Sequence, residues 1–194
     1  MAQPLKQFFT PDEYFFYEDR ADYKSEYLQG QIYMMAGGSP DHSLIAANIT
    51  TILNIALAST NCRTYNSDLK VGSKPKDFFT YPDITVVCGK LEFVEGRNDT
   101  ITNPKIIVEV LSPSTNKYDR TTKFDFYKEL DEFETYILID SAKLEVEVRQ
   151  RVAGQQWIVQ TYNTLEQAFK ITSLGLDLEI KLASIYAKVE FEAS

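Results

Sequence analysis

The chain of 194 residues carries 44% hydrophobic and 25% charged side chains, which excludes a disordered segment and fits a folded soluble domain. Its formal net charge of −8 excludes a protein that coats nucleic acid through bulk positive charge. No apolar run approaches the ~20 residues that span a bilayer, and the first residues show no basic start followed by an apolar stretch, so neither a membrane span nor a signal peptide is expected.

The length predicts a single domain over residues 1–194 with a real hydrophobic core. Cys62 and Cys88 are the only cysteines and lack metal-ligand spacing, which favours free buried thiols and a cytoplasmic location, with a lone disulfide as the other possibility. Charge is unevenly spread. Arg63 to Lys128 holds 11 Lys+Arg against 9 Asp+Glu, whereas the remainder holds 9 against 19.

In chain order, Thr10-Pro11-Asp12-Glu13 reads as a helix start, with the helix running to about Glu18. Tyr23–Leu28 and Gln31–Met35 flank Gln29-Gly30 and predict a β-hairpin with Gly30 at positive φ. Gly37-Gly38-Ser39-Pro40-Asp41 breaks the chain. A long helix over about His42–Leu57 follows, with Leu44, Ile45, Ile49, Ile52, Leu53 and Ala56 at helical spacing. Cys62–Val71, Phe78–Cys88 and Pro104–Ser112 predict three strands, with Lys74–Asp77 as a polar turn and Glu92–Thr102 as an exposed polar connection. Ser114 or Thr115 caps a helix to about Leu130. Thr135–Asp140 predicts a buried strand. Leu144–Val152 and Gln156–Tyr162, turning at Gly154, predict a C-terminal β-meander, and a short strand near Leu178–Ile180 precedes a final short helix. The fold class expected is mixed α/β (α+β): a central mixed sheet flanked by helices, with an N-terminal hairpin.

The candidate chemistry lies on these elements. Lys105–Leu111 is apolar on both faces except at Glu109, which predicts a central strand carrying one buried carboxylate. Such a group must be protonated, ion-paired or bound to a cation. Asp83 opens another apolar strand after Pro82. Two acids on adjacent strands can share one hard cation such as Mg²⁺, although an acid after proline also serves as a turn residue. On a helix wheel, Lys123 and Asp119 fall within the apolar stripe of Phe126, Leu130 and Phe133, so Lys123 needs an anionic destination. His42, the one histidine, is a candidate general base or phosphate contact, or simply a residue at a helix start. Glu26 alternates with apolar neighbours and either joins the site or faces solvent.

Pro82-Asp83, Glu109-Val110-Leu111-Ser112-Pro113-Ser114-Thr115, and Tyr118-Asp119-Arg120 with Lys123 and Tyr127 together resemble the putative restriction endonuclease family (Uma-type) of the PD-(D/E)XK nuclease superfamily. Glu26 to Met35, followed by Ser39-Pro40-Asp41-His42, is similar to that family's N-terminal signature, and the resemblance runs from about Tyr23 to Asp140. It implies a restriction endonuclease-like core and Mg²⁺-dependent (or Mn²⁺-dependent) hydrolysis of DNA phosphodiester bonds. Asp83 and Glu109 would be the metal-binding acids, with a backbone carbonyl near Val110 as a further ligand. The lysine expected two residues after Glu109 is replaced by Leu111, and Lys123 resembles the lysine used instead. The resemblance also implies a homodimer, since cutting both strands is simplest with two sites. The alternative is a catalytically inactive nucleic-acid-binding or structural module on the same fold, with the acids paired internally to Lys123.

Overall fold

The computed structural model describes residues 8–35, 37–153, 156–175 and 178–191. Helix α1 (Pro11–Glu18) starts at the expected capping box, Glu13 N donating to Thr10 Oγ1 at 3.2 Å and Thr10 N donating to Glu13 Oε2 at 2.7 Å. Strands β1 (Ser25–Leu28) and β2 (Gln31–Met34) form the expected hairpin. Its turn puts both Gln29 (φ 44°) and Gly30 (φ 83°) in the left-handed region, as a two-residue hairpin turn with right-handed strand twist requires. Helix α2 (Pro40–Leu57) starts at Ser39, whose hydroxyl accepts from His42 N, and buries Ile45, Ile49, Leu53 and Leu57 along one stripe.

Two long strands expected from the sequence are each broken in two. Cys62–Val71 becomes β3 (Cys62–Asn66) and β4 (Lys70–Ser73), parted where Asn66 Oδ1 accepts from Asp68 N in a side-chain-closed turn. Phe78–Cys88 becomes β5 (Phe78–Thr80) and β6 (Ile84–Cys88), parted at Tyr81-Pro82-Asp83. In each case the halves enter different sheets. The 92–102 connection, expected to be exposed, buries Val94 and Ile101 and contributes β7 (Thr100–Ile101), which pairs parallel to β4.

After β8 (Ile106–Leu111) the expected single helix is divided into α3 (Asn116–Tyr118), a π-helical turn (Asp119–Lys123) and α4 (Phe124–Tyr127). β9 (Thr135–Asp140), β10 (Val146–Arg151) and β11 (Trp157–Tyr162) form the expected meander, and Gly154 at its turn lies outside the described residues. β12 (Ala168–Ile171), which the sequence reading lacks, pairs with β13 (Leu178–Lys181), and α5 (Leu182–Ile185) follows.

The central sheet has the order β11-β10-β9-β8-β6-β3 and is mixed, since β8 and β9 run parallel while its other neighbours are antiparallel. One face packs on α2, the β12–β13 pair and α5. The other packs on α4 and on a second sheet of order β2-β1-β5-β4-β7. Helix α1 covers the far side of that second sheet through Tyr14 and Phe15 against Tyr27 and Phe79. The mixed α+β class with a central mixed sheet stands; the second sheet is the part the sequence reading missed.

Cys62 and Cys88 are register partners on β3 and β6 with Cα atoms 3.8 Å apart, and they form a disulfide. This corrects the expectation of free thiols. Their 26-residue separation hides a pairing that only strand register creates, and cysteine usage no longer argues for a reducing compartment. Among the described residues no helix is long and apolar enough to cross a membrane.

Candidate functional site

Alternation along β8 sends Val108 and Val110 toward α2, and Ile107, Glu109 and Leu111 toward the second sheet. Glu109 is therefore buried, at 3% exposure. Because Ile84 pairs with Val108, the residue before it falls beside Glu109. Asp83 N donates to Glu109 Oε2 at 3.3 Å, and Val110 N donates to Asp83 Oδ2 at 2.8 Å. The break at Pro82 thus has a local purpose: it frees the Asp83 main chain and carboxylate from strand pairing and turns both onto β8.

Lys123 reaches the same carboxylate from the helical side. Its Nζ lies 3.1 Å from Glu109 Oε1, 2.9 Å from Glu26 Oε1 and 3.4 Å from Asp119 Oδ1. Burial opposes the ammonium, but Glu109, Glu26 and Asp119 outweigh it and raise its proton affinity well above the ordinary lysine value. Glu109 in turn is raised well above the usual carboxylate range, first by burial and then by the neighbouring acids, since one ammonium faces several of them. Tyr127 OH donates to Glu109 Oε1 at 3.0 Å and lies 2.9 Å from Thr80 Oγ1, which fixes the rotamer of Glu109. The helix wheel placed Asp119 and Lys123 inward; the structure keeps them there through a π-helical turn, a local widening often found at functional sites.

Glu26, left open between site and solvent, belongs to the cluster. It is 6% exposed, pairs with Lys123, and accepts from Tyr81 N at 3.1 Å and from Tyr118 OH at 3.5 Å. His42 also converges. Its Nε2 lies 3.2 Å from Asp83 Oδ2, and that hydrogen bond, opposed by burial but aided by the Asp83 charge and the Val110 main chain, raises its proton affinity above the ordinary histidine value. A Cβ on Gly38 would stand 2.6 Å from His42 Nδ1, so the glycine lets the loop close over the imidazole. All five singled-out side chains meet. Sequence reasoning gave Tyr118, Tyr127, Thr80 and Gly38 no role here; the tyrosines were visible only as part of the family motif.

The family model described as Uma2, putative restriction endonuclease, matches residues 11–183. The chain belongs to this family. It is 34% identical over 184 residues to the uncharacterized protein slr1290 of Synechocystis, covering 94% of this chain and 93% of that one. A second Synechocystis relative, the uncharacterized protein sll1609, is 31% identical over 82% of this chain and 90% of its own length. Among solved structures, a putative nuclease belonging to DUF820 from Anabaena variabilis superposes with a TM-score of 0.74 over 92% of this chain and 98% of that chain. At 19% identity it bears on the fold alone.

Within this Uma2 chain the donor set can be tested against a metal. The cluster brings four carboxylates, Glu26, Asp83, Glu109 and Asp119, around one ammonium and one imidazole. That excess of acid suits a hard cation, and carboxylate oxygens are the donors Mg²⁺ prefers. Among the described residues no group of three or more acidic, histidine or cysteine side chains is arranged to hold a metal ion by itself. Mg²⁺ does not need one, because it is usually held by one or two carboxylates plus water and substrate phosphate. Asp83 and Glu109 are a carboxylate pair of that kind.

Proposed function

We propose that this chain is a metal-dependent endonuclease that hydrolyses DNA phosphodiester bonds at the Asp83–Glu109–Lys123 cluster. The observation that carries the proposal is the meeting of Asp83, Glu109 and Lys123 in one hydrogen-bonded, largely buried network. Asp83, Glu109 and the Val110 carbonyl would hold Mg²⁺ or Mn²⁺. Such an ion would supply Lewis-acid polarisation of the scissile phosphate and a more acidic bound water near neutral pH. Lys123 places positive charge where the phosphoryl oxygens gain negative charge, and Glu26 and Asp119 hold its amine in position. The lysine missing at Leu111 is thereby replaced in space: the amine arrives from the helix at the same carboxylate. His42 orients Asp83 from α2 and stands ready to take or give a proton beside that carboxylate.

The test is cleavage of plasmid and oligonucleotide DNA with Mg²⁺ or Mn²⁺, beside calorimetric titration of each ion. Saturable metal binding that is weakened in Asp83→Ala and Glu109→Gln, with cleavage lost and circular dichroism unchanged, is the expected result. A protein that cuts no DNA with either ion, and whose metal uptake is indifferent to both substitutions, is not a nuclease.

A second function is favoured by one specific feature. Glu109 already receives Lys123, Tyr127 and the Asp83 N–H. A carboxylate so occupied could serve as a structural ion pair in a nucleic-acid-binding module without catalysis, and the titration separates the two.

A further inference from the structure

We infer that the substrate of this site is a stretch of DNA with unpaired bases, taken up by stacking on Tyr33 beside Tyr118, rather than an intact duplex. The inference rests on the nuclease function and narrows its substrate.

The geometry starts at Glu26. Its register partner across the hairpin is Tyr33, and directly opposed side chains stand on the same face of the sheet. Glu26 points inward to Lys123, whereas Tyr33 is 50% exposed. The Tyr33 ring lies 6.4 Å from the Tyr118 ring at an interplanar angle of 38°. Tyr118 in turn lies with its ring centroid 5.6 Å from Lys123 Nζ and its hydroxyl on Glu26. An aromatic step therefore leads from the buried amine to solvent, with its outermost ring open on the cluster's own side of the hairpin.

Electrostatics decides which nucleic acid such a step suits. Duplex binding draws mainly on several phosphate contacts from free Lys and Arg. Here the net charge is −8, and the nearby Arg120 and Arg149 are already committed to Glu145 and Glu147. Lys117, exposed and one residue before Tyr118, makes no ion pair among the described residues. An uncommitted cation next to Tyr118 in the chain, with an exposed ring on the same side of the hairpin, matches the recognition of single strands, where aromatic faces supply much of the affinity and tolerate any base. A duplex offers no free base face to Tyr33. A site that takes one strand also works as one copy, so two copies are not required for the chemistry.

The experiment uses the full chain with Ca²⁺ in place of Mg²⁺ and fluorescence anisotropy of one labelled DNA sequence, as a single strand and as a blunt duplex, with cleavage run in parallel under Mg²⁺ and Mn²⁺. The single strand should bind at least tenfold tighter. Tyr33→Ala and Tyr33→Leu should each weaken single-strand binding about tenfold, the loss of one stacked base, while Tyr33→Phe retains it. Lys117→Ala should flatten the salt dependence of binding by about one phosphate contact. Equal or tighter binding of the duplex, or a Tyr33→Ala protein that binds the single strand as well as the parent, overturns the inference. Cleavage of duplex that ignores Tyr33 overturns it too, and leaves the nuclease function standing. Tyr33-dependent single-strand binding without any cleavage does the reverse: it supports the stacking step and removes the nuclease.

Discussion

Two buried lysines in this chain meet opposite fates. Lys123, 6% exposed, is ringed by Glu26, Glu109 and Asp119, and its proton affinity rises. Lys70, 1% exposed, has Asp99 at 3.7 Å and the rings of Tyr14, Phe15 and Tyr81 at 5.0–5.2 Å, and its Nζ makes no hydrogen bond. Burial wins there, and its proton affinity falls below the ordinary lysine value. Burial alone therefore does not set the charge state of a lysine. What separates the two is the excess of opposite charge gathered around Lys123, which is costly to assemble in a protein interior.

The largest test of that contrast is Lys123→Met. It leaves buried acids facing one another, so urea unfolding should show a loss of about 3–5 kcal/mol. If Lys123 also acts in catalysis, cleavage at a temperature where the variant stays folded should fall by at least 10²-fold. A smaller effect is expected from Gly38→Ala. The new methyl would collide with the His42 ring and turn it from Asp83, lowering cleavage about tenfold, or ~1.4 kcal/mol in the barrier. The exposed Gly38 position should leave the unfolding midpoint unchanged.

Lys70→Met is the counterpart of Lys123→Met. With no hydrogen bond to lose and its nearest acid, Asp99, 3.7 Å away, it should change stability by less than about 1 kcal/mol, or raise it. A loss as large as that of Lys123→Met would erase the distinction between the two sites. The smallest effect concerns Asp99. Burial pushes its carboxyl up, but Arg97, Lys70 and Thr100 outweigh this and hold it at about 2. A depressed folded value stabilises above the unfolded value of about 4, and that stability is lost as pH falls through about 2. At 40% side-chain exposure the pair with Arg97 is screened by solvent, so acid unfolding curves of the parent and Asp99→Asn should part only slightly, and only above about pH 2.

Much of the site was legible because its signals are local. A lone acid in an apolar strand declared Glu109, a Pro-Asp at a strand start declared Asp83, and a lysine in an apolar helical stripe declared Lys123. Glu26 and His42 could be suspected but not placed. Glu26 reaches Lys123 only because β1 pairs with β5 in a sheet that no local pattern announces. His42 meets Asp83 only because α2 lies across the central sheet. Tyr127 entered only through the family motif, and its hydroxyl finds Glu109 on a strand 18 residues earlier.

By itself the amino-acid sequence determined the capping box of α1, the hairpin turn, the buried character of β8 and β9 and the family motif, since each rests on neighbours within a few residues; the Thr115 side chain, expected as a cap, makes no cap hydrogen bond. Tertiary structure decided where the long strands break, that Cys62 meets Cys88, that a second sheet covers the site, and which acids share Lys123. Those outcomes depend on strand register and sheet order, properties of residues far apart in the chain that no local periodicity encodes.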